Sequence, residues 1–195
     1  VEDIEYVKGL ADEMGGPERV QRQHDGGRYT VRERMEKFCD PGSFLEMGHL
    51  VGAAEYDADG NLVEFSPGGY VMGLGEIDGR SVSVGGDDFT LSGGSPHDVH
   101  KLPHHFAQPL ALQYGIPYVQ LREGVGHSSK QDEQDGHMGL PQGDLWHQGV
   151  ELLRNVPVAS AILGSVAGWP AAAALLSHFS VMVKEKSQIF PSGPP

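Results

Sequence analysis

Positive charge is scarce in this chain of 195 residues. It carries 14 lysines and arginines against 27 aspartates and glutamates, which gives a formal net charge of −13 at neutral pH. Nucleic acid and anionic membranes are poor partners for so acidic a chain, because both are themselves polyanions. Any polyanionic ligand must therefore be met by local basic groups or by backbone N–H donors.

Cysteine and long apolar runs are also scarce. Cys39 is the single cysteine, so no disulfide can form within the chain, which fits a reducing compartment. No apolar run approaches the length that spans a bilayer, and the acidic start Val1–Glu5 lacks the basic and apolar parts of a signal peptide. We expect a cytoplasmic protein that binds neither membrane nor nucleic acid.

Glycine and proline, by contrast, are plentiful, with 28 and 13 residues. They are scattered along the chain, which indicates many tight turns and not disorder. The hydrophobic content of 38% is enough to bury one ordinary core. Without a linker or an internal repeat, we predict a single domain over residues 1–195, with residues 1–29 as a peripheral helical extension.

Local signals predict alternating strands and helices. Thr30 and Glu33 form a capping box, which predicts a helix over 31–38. The dipeptide Asp78-Gly79 suits a tight turn between strands at 70–77 and 80–86. Apolar strands between helices indicate the α/β class. The remaining predicted elements are strands at 118–121, 156–163 and 179–183, helices at 1–24 (broken at 15–17), 97–114 and 145–154, and loops at 52–69 and 122–144.

The segment 162–176 is the most suggestive for function. An apolar strand turns at Gly168 into an alanine-rich helix, with Pro170 at its predicted first position. The N–H groups of Gly168 and Trp169 then lie at the positive end of a helix dipole, which suits an oxyanion such as the enolate beside a thioester. On this segment alone, a strand–turn–helix needed only for packing is the better interpretation.

The histidines raise the question of a metal site. His97, His100, His104 and His105 lie close together, and zinc sites do use closely spaced histidines. Pro103, however, breaks the helical register that would put His100 and His104 on one face, and no HExxH arrangement occurs. We expect solvated histidines and no metal.

Several other residues favour structural roles. Arg32 and Arg34 stand on the capped helix, where ion pairs are a better assignment than contacts to a bound phosphate. Met35 and Phe38 are predicted to lie in the core. Cys39 has no activating motif and is predicted to be inert and buried.

Motifs spread over nearly the whole chain, in the right order, resemble those of carboxyltransferase (beta) subunits of biotin-dependent acyl-CoA carboxylases, in their N-terminal half. Each motif alone is weak, but the ordered set is specific. The motifs are Thr30–Met35, Asp40–Glu46, Gly73–Arg80, Asp88–Ser95, Tyr114–Pro117, and Ile189-Phe190 with Gly193-Pro194-Pro195.

The resemblance implies a crotonase-like fold, a spiral of ββα units. Members of this family move a carboxyl group between carboxybiotin and the α-carbon of an acyl-CoA, and backbone N–H groups hold the thioester enolate. The implied cofactor is biotin on a partner carrier domain, and the substrate is a coenzyme A thioester. The implied partners are a C-terminal carboxyltransferase half or neighbouring subunit, the biotin carboxylase and carrier subunit, and further copies in an oligomer.

Carried over by position, the resemblance assigns the two enolate donors to short segments. The donor of the helix turn falls on Gly168 or Trp169. The donor at the strand end falls within Gly124–Gly126, which makes Val125 and Gly126 the catalytic candidates there. The same resemblance sets Gly93, Gly94, Gly124 and Ala167 against the substrate, because a pantetheine thioester needs close backbone approach.

Two departures from the family pattern keep alternatives open. The family has a serine-glycine-glycine-alanine-arginine run after the third strand, where this chain has Arg122–Ser128. The paired glycines of the helix turn are replaced by Gly168 followed by Trp169-Pro170. One alternative is therefore a crotonase-like acyl-CoA decarboxylase or hydratase that works without biotin. The other is an inactive assembly subunit in which Trp169 plugs the oxyanion pocket.

Overall fold

The computed structural model describes residues 2–94, 104–125 and 143–191. In these ranges the chain is a mixed α/β structure, as predicted. The helices are α1 (Glu2–Asp12), α2 (Pro17–Asp25), α3 (Val31–Phe38), α4 (His104–Tyr114), α5 (Gly143–Asn155) and α6 (Trp169–Leu175). The strands are β1 (Leu45–Met47), β2 (Gly52–Tyr56), β3 (Leu62–Pro67), β4 (Tyr70–Ile77), β5 (Arg80–Asp87), β6 (Tyr118–Val125), β7 (Val158–Ala167), β8 (Phe179–Met182) and β9 (Gln188–Phe190).

A seven-stranded sheet organises the fold. Its strands follow the order β1-β4-β5-β6-β7-β8, and β9 pairs with β7 as well. The pairs β1–β4 and β4–β5 are antiparallel, whereas β5–β6, β6–β7, β7–β8 and β7–β9 are parallel. One edge of β7 is shared, because β8 pairs along 159–162 and β9 along 165–167.

The predicted hairpin around Asp78-Gly79 is confirmed. The pairing runs from Ile77 opposite Arg80 to Tyr70 opposite Asp87. Asp78 and Gly79 have φ angles of 50° and 69°, the left-handed values that a primed turn requires.

The loop predicted at 52–69 is wrong, because β2 and β3 form a second hairpin there. Its turn lies at 57–61. The Asp57 carboxylate accepts hydrogen bonds from the backbone N–H groups of Asp59 and Asn61 at 2.9 and 2.8 Å. Strands β2 and β3 are short, and they contain glycine, glutamate and proline, which are uncommon in strands. The sequence pattern therefore predicted a loop.

Apolar side chains cover both faces of the sheet. Alternation along β4 and β6 sends Tyr70 and Tyr118 to the face covered by α4 and α5, and Val71 and Leu121 to the face covered by α3. A third cluster lies beneath α6 and includes Ile162, Val166, Ala171 and Ala174.

The two predicted core residues of α3 have different outcomes. Met35 is buried, which confirms its assignment, but Phe38 is 36% exposed and its core assignment is wrong. Cys39, just beyond the helix, is buried as predicted, and burial raises the pKa of its thiol, with Asp40 adding to the effect. A raised thiol pKa leaves little reactive thiolate at neutral pH.

The N-terminal segment contacts the sheet through a buried side chain of α2. The break at 15–17 is confirmed, since α1 ends at Asp12 and α2 begins at Pro17. Gln23 is only 3% exposed, and its side chain reaches a carboxylate of β6. Gln23 is the buried residue of α2, and the rest of this helix is exposed or half-buried.

Other boundaries moved. Strand β6 continues to Val125 and β7 to Ala167, both beyond their predicted ends. Strand β9 was not predicted. The first part of the helix predicted at 97–114 and most of the loop predicted at 122–144 lie outside the described residues. None of the described helices is long and apolar enough to cross a membrane.

The capping box at α3 generates a stability prediction. The backbone N–H of Glu33 donates to Thr30 Oγ1, and the Thr30 N–H donates to the Glu33 carboxylate at 2.7 Å. Burial raises the pKa of Glu33, but hydrogen bonds from His24 and Thr30 outweigh it, so the pKa is lowered overall. Thr30→Ala is expected to lower the free energy of unfolding by about 1 kcal/mol, measured by urea denaturation. Thr30→Ser is the matched control, since it keeps the hydroxyl, and equal losses in both variants would contradict the assignment.

Candidate functional site

The carboxyl ends of β6 and β7 bring most of the predicted site residues together. In the parallel pairing, Gly124 lies opposite Val166 and Val125 opposite Ala167. Strand β7 then passes through Gly168 directly into α6, whose first residue is Trp169. The strand-end segment and the helix-turn segment are therefore neighbours, as the predicted site requires.

A short 3₁₀ segment, Ser92–Gly94, completes this edge. Its three residues have consecutive positive φ angles of 50°, 66° and 73°. A Cβ atom on Gly94 would lie 2.8 Å from the Cα of Gly124, and one on Gly93 would lie 3.6 Å from a methyl carbon of Val125. Only glycine permits so close an approach at position 94. Gly93 and Gly94 thus join the predicted site, whereas Gly126 lies outside the described residues.

The backbone N–H of Gly168 is hydrogen-bonded within the fold. It donates to the carbonyl of Phe190 in β9 at 3.1 Å, a bond that competes with the donor role predicted for Gly168. Pro170 has no N–H, and it is the second residue of α6, one place later than predicted. The N–H groups of Ala171 and Ala172 both donate to the Gly168 carbonyl, at 3.1 and 3.2 Å.

Glycine at position 168 is nevertheless required. Its φ of 71° and ψ of −135° lie in a region that side-chain-bearing residues rarely adopt. This conformation turns the chain from β7 into α6, and it sets Trp169 half-buried beside Ala167, which is buried. The roles predicted for Trp169, Val125 and Ala167 stay predictions.

Two charged residues that the sequence placed in a loop lie inside β6. The side chain of Arg122 is buried on the face covered by α4 and α5. It donates to the Asp87 carboxylate at 3.1 Å and to Gln120 Oε1 at 2.6 Å, and it lies over the Tyr70 ring at 5.6 Å. Burial alone would lower the pKa of Arg122, but Asp87 and the two buried tyrosines raise it overall. The guanidinium is therefore a fixed positive charge beneath the site.

The next residue, Glu123, points to the opposite face and has no exposed surface. Its carboxylate accepts hydrogen bonds from Arg34, from Arg28 at 2.7 Å and from Gln23 at 2.8 Å. Arg34 and Arg32 are thus ion-paired, as predicted, with Arg32 bonded to Glu46 at 2.8 Å.

Gly164 makes room for this carboxylate. A Cβ atom at position 164 would lie 2.6 Å from the Glu123 Cδ and 2.8 Å from its Cγ. Pattern reasoning missed Glu123, Gly164 and the strand that binds Gly168. The available signal was a pair of opposite charges directly after the predicted strand 118–121, which indicates buried and compensated charges if the strand continues.

A further carboxylate, Asp88, is buried beside the 3₁₀ segment. It accepts hydrogen bonds from the Thr90 N–H at 2.9 Å and the Thr90 hydroxyl at 2.6 Å. Burial raises the pKa of Asp88, and the hydrogen bonds from Thr90 and the charges of Arg32 and Arg34 oppose this without cancelling it.

Metal ligation finds no support among the described ranges, where no three His, Cys, Asp or Glu side chains come together. His97 and His100 lie outside these ranges, and for His104 and His105 only the backbone of α4 is described.

Comparison with known proteins shows which family this chain belongs to. Residues 22–195 match the carboxyl transferase domain family. The chain is 34% identical over 180 residues to the methylmalonyl-CoA decarboxylase subunit alpha of Veillonella parvula, covering 92% of this chain and 35% of the relative. It is 33% identical to the propionyl-CoA carboxylase carboxyltransferase subunit of Haloferax mediterranei, covering 100% of this chain and 37% of the relative. The chain thus spans little more than one third of these relatives.

Solved structures of carboxyltransferases have a similar fold. Transcarboxylase 12S, crystallised with methylmalonyl-coenzyme A and methylmalonic acid, superposes with a TM-score of 0.82 at 29% identity, covering 99% of this chain and 37% of that one. The beta subunit of P. aeruginosa geranyl-CoA carboxylase superposes with a TM-score of 0.76 at 23% identity, covering 100% of this chain and 36% of that one, and shows the fold alone. The predicted crotonase-like fold is confirmed.

Gly164→Ala tests the packing around Glu123. Its Cβ would collide with a side chain that three donors hold in place, so we expect a loss of about 1–3 kcal/mol in the free energy of unfolding, measured by urea denaturation. Gly149→Ala is the matched control. Gly149 lies inside α5, and a Cβ atom there would make an ordinary contact of 3.5 Å with the side chain of Leu176. An unchanged stability in the Gly164 variant would show that Glu123 is not held there.

Asp88→Asn tests the raised pKa of the buried carboxyl. The unfolded chain ionises Asp88 at a lower pH than the folded chain does. The folded state therefore loses stability as the pH rises from the ordinary carboxyl pKa through the raised one. We expect the asparagine variant to be the more stable protein at pH 7, with the difference vanishing in acid, in urea titrations across this range. A variant less stable than wild type at every pH would contradict this.

Proposed function

The chain belongs to the carboxyl transferase domain family, and we propose that it is the acyl-CoA-binding half of a carboxyltransferase. In this proposal a carboxyl group moves between carboxybiotin and the α-carbon of an acyl-CoA. Relatives named for propionyl-CoA carboxylase and for methylmalonyl-CoA decarboxylase support a short acyl-CoA as the substrate class.

One observation carries the proposal. Three backbone segments poor in side chains, 93–94, 124–125 and 167–168, meet where the parallel strands β6 and β7 end. Ligand sites of α/β proteins lie at the carboxyl ends of their strands. An edge built mainly from main chain lets a thin pantetheine arm come close and offers it amide groups in place of side chains.

The chemistry asks for stabilisation of negative charge. Removing a proton or a carboxyl group beside a thioester moves charge onto the carbonyl oxygen, and one fixed N–H donor there is worth roughly 3 kcal/mol. Because the Gly168 amide is bonded to Phe190, we assign the donors of this half to the strand-end segment, at Val125 and Gly126. Trp169 then forms the wall of the acyl pocket.

Partners are part of the proposal. This chain covers only 35% and 37% of these relatives, so we assign the missing half of the site to a C-terminal carboxyltransferase domain or to a neighbouring subunit. Exposed apolar side chains along β8 and the end of α6, including Phe179, Met182 and Leu175, offer a surface for it. Biotin on a carrier subunit would supply the carboxyl group, and we assign it to the boundary with that partner, with no described residue as its ligand.

A second candidate function is an assembly subunit without catalysis. The bonded amide of Gly168 and the missing N–H of Pro170 favour it, since both weaken the helix turn as a source of oxyanion donors. In this case Trp169 fills the pocket and no thioester binds.

Calorimetric titration with propionyl-CoA, together with a carboxylation assay, separates these functions. The assay supplies carboxybiotin and a C-terminal carboxyltransferase half. We expect heat of binding and carboxylated product, with both reduced in Gly94→Ala, whose Cβ would push the 3₁₀ segment away from Gly124. Gly9→Ala is the control, because its Cβ would meet open space within α1. Neither binding nor product at millimolar ligand would reject the carboxyltransferase and favour the assembly subunit.

Trp169→Ala tests the pocket wall. If the indole limits the acyl group, its removal is expected to tighten binding of hexanoyl-CoA at least about tenfold relative to propionyl-CoA, because each buried methylene contributes about 0.8 kcal/mol. Calorimetry with both thioesters measures this ratio. Binding of both thioesters in the variant but of neither in wild type would identify the tryptophan as a plug. An unchanged ratio would remove it from the pocket.

A further inference from the structure

The Glu123 carboxylate is the point where the N-terminal helices meet the end of β6. Its donors come from three separate places: Gln23 in α2, Arg28 in the connection to α3, and Arg34 in α3. All three stand between 89 and 100 residues earlier in the chain. Gln23 and Arg34 are 3% and 7% exposed, so water cannot replace the carboxylate as their partner.

The strand opposite is shaped around this side chain. Arg122 lies opposite Ile162 and Gly124 opposite Val166, so a single residue of β6, Glu123, faces three residues of β7. Such an irregularity bends a strand and re-aims the residues beyond it. Gly164, at the centre of the three, leaves the space that the Glu123 side chain occupies.

The irregularity sets the register beyond it. Past Glu123 the ladder resumes with Gly124 opposite Val166 and Val125 opposite Ala167. These pairs form the glycine-lined edge, and on the other side of β6 the 3₁₀ segment packs against Gly124. Losing the Glu123 anchor would let the ladder slip and would move the backbone of Gly124 and Val125.

We infer that Glu123 is a positioning residue, which holds the backbone of Gly124 and Val125 in place through its bonds to Arg34, Arg28 and Gln23. It touches no substrate. Its effect on ligand binding rests on the proposed function, but its effect on the strand end does not. The helices α2 and α3 are, on this inference, supports of the site.

Amide hydrogen exchange of the full chain tests the inference directly. Glu123→Gln keeps the shape and removes the charge, and Glu123→Asp keeps the charge but shortens the reach. We expect exchange in peptides covering 121–125 to become at least about tenfold faster in the glutamine variant and intermediate in the aspartate variant, with 70–86 unchanged. A purely structural role would speed exchange in both segments together.

Glu46→Gln is the matched control, since it removes the same chemical group from Arg32 on the same helix without touching β6. It is expected to leave 121–125 unchanged. If Glu123→Gln does not fold, Arg28→Gln removes one donor from a partly exposed position and is expected to speed exchange at 121–125 to a smaller degree. Unchanged exchange at 121–125 in a folded variant, or equal acceleration in both segments, overturns the inference.

Binding provides the second readout. Calorimetry with propionyl-CoA is expected to show at least about tenfold weaker binding for Glu123→Gln and none of this loss for Glu46→Gln. If wild type binds no thioester, the proposed function fails, while the exchange data still decide whether Glu123 positions the strand end. Equal affinity of wild type and Glu123→Gln would overturn the link between positioning and binding.

Discussion

The end of strand β6 is held by two opposite charges on its two faces, and the arrangement of the site depends on this. Arg122 pairs with Asp87 and Gln120 on one face, and Glu123 pairs with Arg34, Arg28 and Gln23 on the other. Each charge is withdrawn from water, and each is compensated by hydrogen-bonded partners, as a buried charge requires. A strand anchored on both faces can carry a backbone segment with little freedom to shift.

The segments on either side of β6 are shaped to fit these two charged side chains. Strand β7 spreads around Glu123 at Gly164, and the 3₁₀ segment closes on Gly124 because positions 93 and 94 have no side chains. The site edge is thus shaped by absent side chains on three segments and by buried charge directly beneath them. Main-chain groups at such an edge are available for a ligand to the extent that the fold has not already bonded them, and the Gly168 N–H is already bonded to Phe190.

Local signals in the sequence were sufficient for some elements and insufficient for others. The helix at 31–38 and the hairpin around Asp78-Gly79 were predicted because their capping and turn residues act within a few positions. The juxtaposition of 124–125 with 167–168 followed from the family resemblance. The full length of β6 was missed because Arg122 and Glu123 break its apolar pattern, and the partners that compensate Glu123 stand in a distant part of the chain. The hydrogen bond from the Gly168 N–H to Phe190 was missed because β9 is three residues long and too short to show a periodic pattern.

The position of β9 has a consequence for any version of this chain that lacks the strand. This short strand fills the outer edge of β7 beyond the end of β8, and it holds the Gly168 N–H at the same time. A version truncated ahead of Gln188 would release that amide and would also uncover a stretch of unpaired parallel-sheet edge. Uncovered edges recruit strands from other molecules. Removing β9 would therefore free the Gly168 N–H and expose an unpaired strand edge at the same time, so self-association would accompany any donor that the removal set free.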